Sequence, residues 1–325
     1  LKVALLYPTV AALVEKMGVL FPGLNVIGPP CDALYSWDKR ILNLAKAKDR
    51  GKEWQEVGLD IHFEEKPYSE CDFSKFDLLI ESVETFDYAA DWKNHCHRLE
   101  CPTMVFVCWY DNPTYLPSNY QQKIKNLPIK VGMPSLVPAW KSVYPQAEFA
   151  PVPVGDWWFE REWNGIREEA LFVLAGKDLW RPADKSVCGV DLFEKLSESF
   201  PGKMHHHDGA MEFKTSKQMA EMFSEYRVFL NLDNAAGRPL STSFTEALAA
   251  GMPVVARDLS GLSYFDYIEG NGIAAYNLSE IAEFIALCFS DIAFARRCSA
   301  RSRQIAKAAF STEAVRPFYE IGRSA

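Results

Sequence analysis

The chain has 325 residues, 48% of them hydrophobic and 24% charged, with 18 glycines and 19 prolines. That balance supplies core for about two domains and excludes disorder as the general state. The formal charge of -8 is spread over both halves, so the clustered Lys and Arg of a general nucleic-acid binder are missing. The longest apolar runs, such as Leu78-Leu79-Ile80 and Met104 to Trp109, are of strand length and well short of the roughly 20 residues a bilayer span needs.

In chain order, Lys2 to Tyr7 reads as a buried strand, because no basic segment or small-residue cleavage site marks it as an export signal. Pro22, Gly23, Gly28, Pro29 and Pro30 then predict a loop at the carboxyl end of that strand, the ligand side of an open α/β sheet. Trp37 to Val57, with Ile41, Leu44, Ala45 and Trp54 set between charges, predicts a surface helix. Strands follow at Asp60 to Phe63, Leu78 to Ile80 and Thr103 to Trp109. His95-Cys96-His97 lies among Asp91, Lys93 and Arg98 and reads as a solvated helical face. Pro134 to Pro153 is read as the approach to an interdomain linker that ends in Val154-Gly155-Asp156-Trp157-Trp158.

The second half restarts the same alternation, with strands at Leu171 to Ala175, Met204 to His207, Val228 to Leu232 and Pro253 to Ala256. After Ser279 the pattern is helical to the end, with Pro317 expected to kink or stop the last helix. This is the grammar of an α/β protein with two Rossmann-like halves. The eight cysteines show no C-x-x-C spacing, and several sit in apolar runs, so they are read as reduced and the chain as cytoplasmic. His205-His206-His207 alternates faces along a strand, which argues against convergence on a metal. Trp157, Trp158 and Trp163 are read as packing rather than as sugar platforms. A G-x-G-x-x-G after the first strand and a G-x4-G-K-[ST] loop are both missing, which lowers dinucleotide oxidoreductase and P-loop NTPase readings.

The segment richest in chemistry runs from Arg238 to Gly261. Ser241, Thr242 and Ser243 precede a short helix and offer an anion N-cap hydroxyls, unspent backbone N–H groups and the positive end of the helix dipole. Glu246 follows within the first turns, where a carboxylate can accept from two vicinal hydroxyls, as on a ribose. A lone glutamate there is ordinarily explained by the macrodipole alone. Gly251 is expected to end the helix and Pro253 to prevent its continuation, before a buried strand.

Glu246-Ala-Leu-Ala-Ala-Gly-Met-Pro-Val-Val-Ala-Arg-Asp-Leu-Ser-Gly261 resembles the donor-site signature of the family 4 group of retaining glycosyltransferases, which have the GT-B fold. Leu171 to Lys177, the helix opened by Gly189-Val-Asp-Leu-Phe, Met204 to Gly209 and Phe310 to Tyr319 fall in the family's order, so the resemblance covers roughly residues 165 to 325. It implies two Rossmann-like domains facing a cleft: an acceptor-side domain over 1–154, a nucleotide-sugar donor domain over 155–310, and a C-terminal helix, 311–325, crossing back to the first.

The implied reaction is transfer of a sugar, with retention, from a UDP- or GDP-sugar to an unidentified acceptor, which could be a glycan, a lipid-linked or small molecule, or a modified base. No cofactor and no metal are expected, in keeping with the lack of a D-x-D pair at a strand end. Residue by residue, Glu246 matches the family's ribose-binding glutamate, Ser241, Thr242 and Ser243 its diphosphate and sugar loop, Lys177 its phosphate-neutralising base, and Gly209 its base-side loop.

Two positions depart from the pattern. Arg238 stands eight residues before Glu246, where the family has a sugar-binding glutamate, and its bidentate fork suits a phosphate or an acidic sugar. Cys188 stands where a second base is expected, leaving Arg181 or Lys185 to supply that charge. Asp111, in the turn Trp109-Tyr110-Asp111-Asn112-Pro113, is the candidate contact for acceptor or donor sugar, and with Arg238 the candidate for direct catalytic participation. Two other readings remain: a glycosyltransferase acting on a modified nucleic-acid base, which a steep salt dependence of binding would favour, and a non-catalytic nucleotide-sugar binding module, which tight donor binding without turnover would favour.

Overall fold

The computed structural model describes residues 1–6, 11–28, 51–66, 70–83, 101–107, 112–116, 118–174, 188–208, 214–232, 241–257 and 265–320. The chain divides into two compact units, one of Leu1–Pro153 with Val315–Ala325 and one of Val154–Ala314. Among the described residues no helix is long and apolar enough to cross a membrane.

The first unit runs β1 (Val3–Leu6), α1 (Ala11–Leu20), β2 (Leu24–Gly28), α2 (Gly51–Glu56), β3 (Ile61–Glu65), β4 (Leu78–Ser82), β5 (Thr103–Val107), α3 (Ser118–Ile124), β6 (Ile129–Val131), α4 (Val137–Val143) and β7 (Ala147–Phe149). Its strands form one sheet in the order β3-β2-β1-β4-β5-β6-β7, parallel throughout. β1, β4 and β5 are buried along their whole length, which is why they appear in the sequence as unbroken apolar runs rather than as alternation.

The structure departs from the sequence pattern in two places. The loop predicted from Pro22 to Pro30 holds β2, whose Val26 lies opposite Leu5 of β1. Asn25 interrupts the apolar run, but its side-chain amide is spent on the carbonyls of Gly23 at 3.0 Å and Val3 at 3.3 Å, so a polar residue inside the strand costs little. The proline-rich stretch read as a linker approach instead folds into the first unit as a 3-10 turn (Pro134–Leu136), α4 and β7. Pro134 and Pro138 occupy the first turns of their helices, where a missing N–H costs nothing, and fully buried Trp140 anchors α4 to the core. At the other end of the chain, a 3-10 turn at Arg316–Tyr319 carries Pro317 in its first turn, and the buried Tyr319 hydroxyl donates to the Pro151 carbonyl at 3.2 Å.

The second unit runs α5 (Trp157–Glu160), β8 (Arg167–Val173), α6 (Val190–Ser199), β9 (Met204–His207), α7 (Ser216–Glu225), β10 (Tyr226–Asn231), α8 (Thr242–Ala250), β11 (Val254–Arg257), β12 (Gly272–Ala275), α9 (Leu278–Ser290), α10 (Ile292–Phe310) and α11 (Thr312–Val315), the last of which spans the boundary. Its sheet, again parallel, has the order β12-β11-β10-β8-β9. One core lies on the face that carries Phe172, Val228, Leu230 and Val255, against α6 and α9. Helices α7 and α8 pack elsewhere, with Phe223 between Trp158 (5.1 Å, edge-on) and Phe229 (5.5 Å, stacked). Each of these buried rings contributes roughly 1.5–3 kcal/mol of apolar burial.

Gly189 caps α6 in the left-handed region (φ 76°), and a Cβ built on it would lie 2.1 Å from the Leu232 carbonyl oxygen. The start of α6 is thereby pressed against the end of β10. Gly189→Ala is expected to destabilise the second unit by about 3 kcal/mol, from left-handed strain together with overpacking. Urea unfolding followed by tryptophan fluorescence reads this directly, and an unchanged midpoint would show that the approach can relax.

Candidate functional site

Strand order in the second unit reverses between β8 and β10, since β9 is added outside β8 and β11 outside β10. Ligands of open parallel sheets bind beyond the carboxyl ends of strands at such a reversal. Asn231 ends β10 at this point and Leu232 follows it, with Gly189, the cap of α6, against the Leu232 carbonyl and Ser241, the cap of α8, against the Asn231 side chain. Two helix N-termini, with their positive dipole ends, therefore meet at the end of one central strand.

α8 is set there by its caps. Ser241, with extended backbone, accepts the Phe244 N–H on its Oγ at 3.1 Å, and Gly251 closes the helix in the left-handed region (φ 82°). The helix ends at Gly251 as expected but starts earlier than expected, so that Thr242 and Ser243 lie in its first turn rather than before it. Thr245 is buried and donates from its hydroxyl to the Thr242 carbonyl at 2.9 Å. Phe244, Thr245 and Ala247 to Ala250 are all buried, whereas Ser241, Thr242, Ser243 and Glu246 are only half-buried. Positions three and four apart share a helix face, so Glu246 stands above Thr242 and Ser243. The N–H groups of Thr242 and Ser243 have no acceptor inside the helix, as helix geometry requires.

The structure thus brings together four of the residues singled out in the sequence: Ser241, Thr242, Ser243 and Glu246. Asp111, Lys177, Arg181, Lys185, Gly209 and Arg238 lie outside the described residues. Cys188 is buried in the α6–α9 core, so its side chain belongs to packing rather than to an anion site. His205 and His206 diverge as strand alternation requires: His206 stands against Phe172 and Phe193, with Nε2 3.0 Å from the Leu174 carbonyl, and His205 lies against Tyr226. Trp157 and Trp158 are buried, and Trp163 donates its indole N–H to the Tyr226 carbonyl at 2.9 Å. Among the described residues the cysteines form no disulfide. Burial raises the thiols of Cys101, Cys288 and Cys298, and that of Cys71 to about 11, far from the reactive thiolate range.

Two polar residues at strand ends were not singled out in the sequence. Asn231 closes β10 and is 6% exposed, with its Oδ1 3.3 Å from Ser241 Oγ. Glu81, 1% exposed near the carboxyl end of β4, is held by Lys123 of α3 through both oxygens at 2.9 and 3.1 Å. β4 flanks the reversal between β1 and β4 in the first sheet. The available signal in both cases was a polar side chain closing an apolar strand run, Val-Phe-Leu-Asn and Leu-Leu-Ile-Glu.

No protein-family model matches the chain, and no curated protein matches it either. Solved structures do. HepE (Alr3699) of Anabaena, in complex with UDP and glucose, superposes with a TM-score of 0.64 at 10% identity, over 98% of this chain and 97% of that one. A glycosyltransferase from Rickettsia africae gives 0.61 at 9% identity, over 98% and 96% of the two chains. Sucrose-phosphate synthase of Thermosynechococcus elongatus gives 0.56 at 13% identity, over 98% and 96%. The chain has the GT-B fold that such structures share.

Ser241→Ala removes the cap of α8 and is expected to lower stability by about 1 kcal/mol, whereas Ser241→Thr keeps both the N-cap acceptor and the hydroxyl given to Asn231 and stays within about 0.5 kcal/mol of wild type. Thermal melting of the two variants side by side checks this. Equal losses in both would show that Ser241 does not cap the helix.

Proposed function

We propose that the protein is a glycosyltransferase that moves a sugar from a nucleotide-diphosphate donor to an acceptor, with the donor held by the second unit. The observation that carries this reading is the partly open start of α8: serine and threonine N–H and hydroxyl groups with a carboxylate one turn on, at a strand reversal of a GT-B sheet. The complexes of HepE with UDP and glucose, and with UDP-glucose, support a uridine donor as the first to test.

Group transfer from a nucleotide sugar breaks the bond between the anomeric carbon and a diphosphate oxygen and forms one to an acceptor oxygen. The acceptor's proton leaves with the departing phosphate. Positive charge grows on the sugar ring and negative charge on the diphosphate. The first turn of α8 suits that negative charge, because its N–H groups and dipole are fixed before reaction and need no reorganisation. Each such donor is worth about 3 kcal/mol of barrier in an enclosed site.

Glu246 is assigned to the ribose hydroxyls, because a carboxylate accepts from two neighbouring hydroxyls where a phosphate would be repelled. Lys177, Arg181, Lys185 and Arg238 are assigned to the diphosphate, Gly209 to the base side, and Asp111 to the sugar or acceptor. Retention and independence of a divalent cation belong to this proposal on the strength of the signature around Glu246.

Calorimetry with UDP, GDP, ADP and their sugar conjugates in EDTA, followed by assays of donor hydrolysis, tests the reading. A nucleotide diphosphate is expected to bind without metal and its sugar conjugate to be turned over slowly. Tight binding with no turnover would instead make the protein a binding module. Glu246→Ala is expected to weaken donor binding by about 1–3 kcal/mol through loss of two hydrogen bonds, and wild-type affinity in that variant would remove Glu246 from the site.

A further inference from the structure

Asn231 carries a buried donor that nothing among the described residues uses. The residue is 6% exposed and its Nδ2 has no hydrogen-bond partner among the described residues, whereas Oδ1 lies 3.3 Å from Ser241 Oγ. Ser241 Oγ accepts the Phe244 N–H and donates its own hydroxyl proton to Asn231 Oδ1. That contact turns the carbonyl oxygen of the amide toward Ser241 and leaves the NH2 group as the unspent end.

A buried amide donor without a partner is costly, and such groups are uncommon in folded proteins. Asn231 sits at the carboxyl end of the central strand, beside the cap of α8, and adjoins Leu232, whose carbonyl meets Gly189. In the free protein the neutral amide is an under-used donor, at the point where two helix dipoles already favour negative charge.

We infer that Asn231 is a donor-binding residue whose side-chain NH2 group hydrogen-bonds a diphosphate oxygen of the nucleotide substrate, completing the anion site begun by the Thr242 and Ser243 N–H groups. This rests on the function proposed above and adds the diphosphate as the part of the substrate that Asn231 reads. A neutral donor suits this position, because it strengthens as charge develops on the leaving group without demanding a counter-charge beforehand.

The test compares wild type with Asn231→Asp and Asn231→Ala by calorimetric titration with UDP, UMP and uridine, the guanosine series being run in parallel, and by thermal melting. Asn231→Asp keeps an acceptor for Ser241 and replaces the NH2 group by a carboxylate oxygen. Asn231→Ala removes the unspent donor altogether and guards against a variant that fails to fold. The inference predicts that both variants lose UDP affinity, Asn231→Ala by about 10-fold or more and Asn231→Asp by about 100-fold, with nucleoside affinity unchanged. It also predicts that Asn231→Ala melts within a degree or two of wild type, since the lost amide was incompletely bonded.

Wild-type UDP affinity in both variants would overturn the inference. So would equal losses for uridine and UDP, which would move Asn231 to the nucleoside side. A large drop in melting temperature with unchanged UDP affinity would make the residue purely structural and overturn it as well. Failure of wild type to bind any nucleotide would instead contradict the proposed function itself, and the inference with it.

Discussion

A helix that is buried on almost every side still has to begin somewhere, and its first N–H groups cannot be satisfied from within. In the second unit that constraint falls on α8, where Phe244, Thr245 and Ala247 to Ala250 are buried and only Ser241 to Ser243 and Glu246 are left partly open. Ser241 satisfies one of the first N–H groups, that of Phe244. The N–H groups of Thr242 and Ser243 stay available, and the parallel sheet places them at the reversal between β8 and β10. The electropositive character of this strand end follows from helix geometry and sheet topology before any charged side chain is added.

The neighbouring elements reinforce that strand end. Gly189 lets α6 start in contact with the end of β10, because any larger residue would strike the Leu232 carbonyl. Gly251 stops α8 so that Met252 and Pro253 can lead into β11, beside β10 in the same sheet. On its far side α8 packs on the aromatic group of Trp158, Phe223 and Phe229 and on α10, from which Ser302 donates to the Met252 carbonyl at 2.7 Å. The site is therefore held by rigid, buried elements, which is what fixed hydrogen-bond donors require if they are to stabilise developing charge without rearranging.

The legible part of the fold was the part in which one local signal dominates. β1, β4, β5 and β10 are buried on both faces and stand out as apolar runs, and α8 is bounded by Ser241 and Gly251, residues whose roles at helix ends are chemically specific. The short strands β2, β6, β7 and β12 escaped because three to five residues broken by Asn25, Lys130, Glu148 or Gly272 give no clear period. Lys130 and Glu148 pair with each other across β6 and β7, a tertiary fact with no local trace. Pro134 and Pro138 look like linker residues in sequence, yet at a helix's first turn proline is compatible with folded structure. In the site, Ser241, Thr242, Ser243 and Glu246 could be read from helix-capping chemistry and the family resemblance. Asn231 could not, because an asparagine after an apolar strand is ordinarily a turn residue, and its contact with Ser241 depends on the folded sheet.

The central claim is that the open first turn of α8 receives the diphosphate of a nucleotide sugar. Hydrogen–deuterium exchange in the presence and absence of UDP-glucose, read on peptides covering β10 through α8, tests it most directly. The account predicts slowed exchange at the Thr242 and Ser243 amides, with little change across β3, β6 and β7 of the first unit. Binding of UDP-glucose that leaves those two amides exchanging as in the free protein would contradict it.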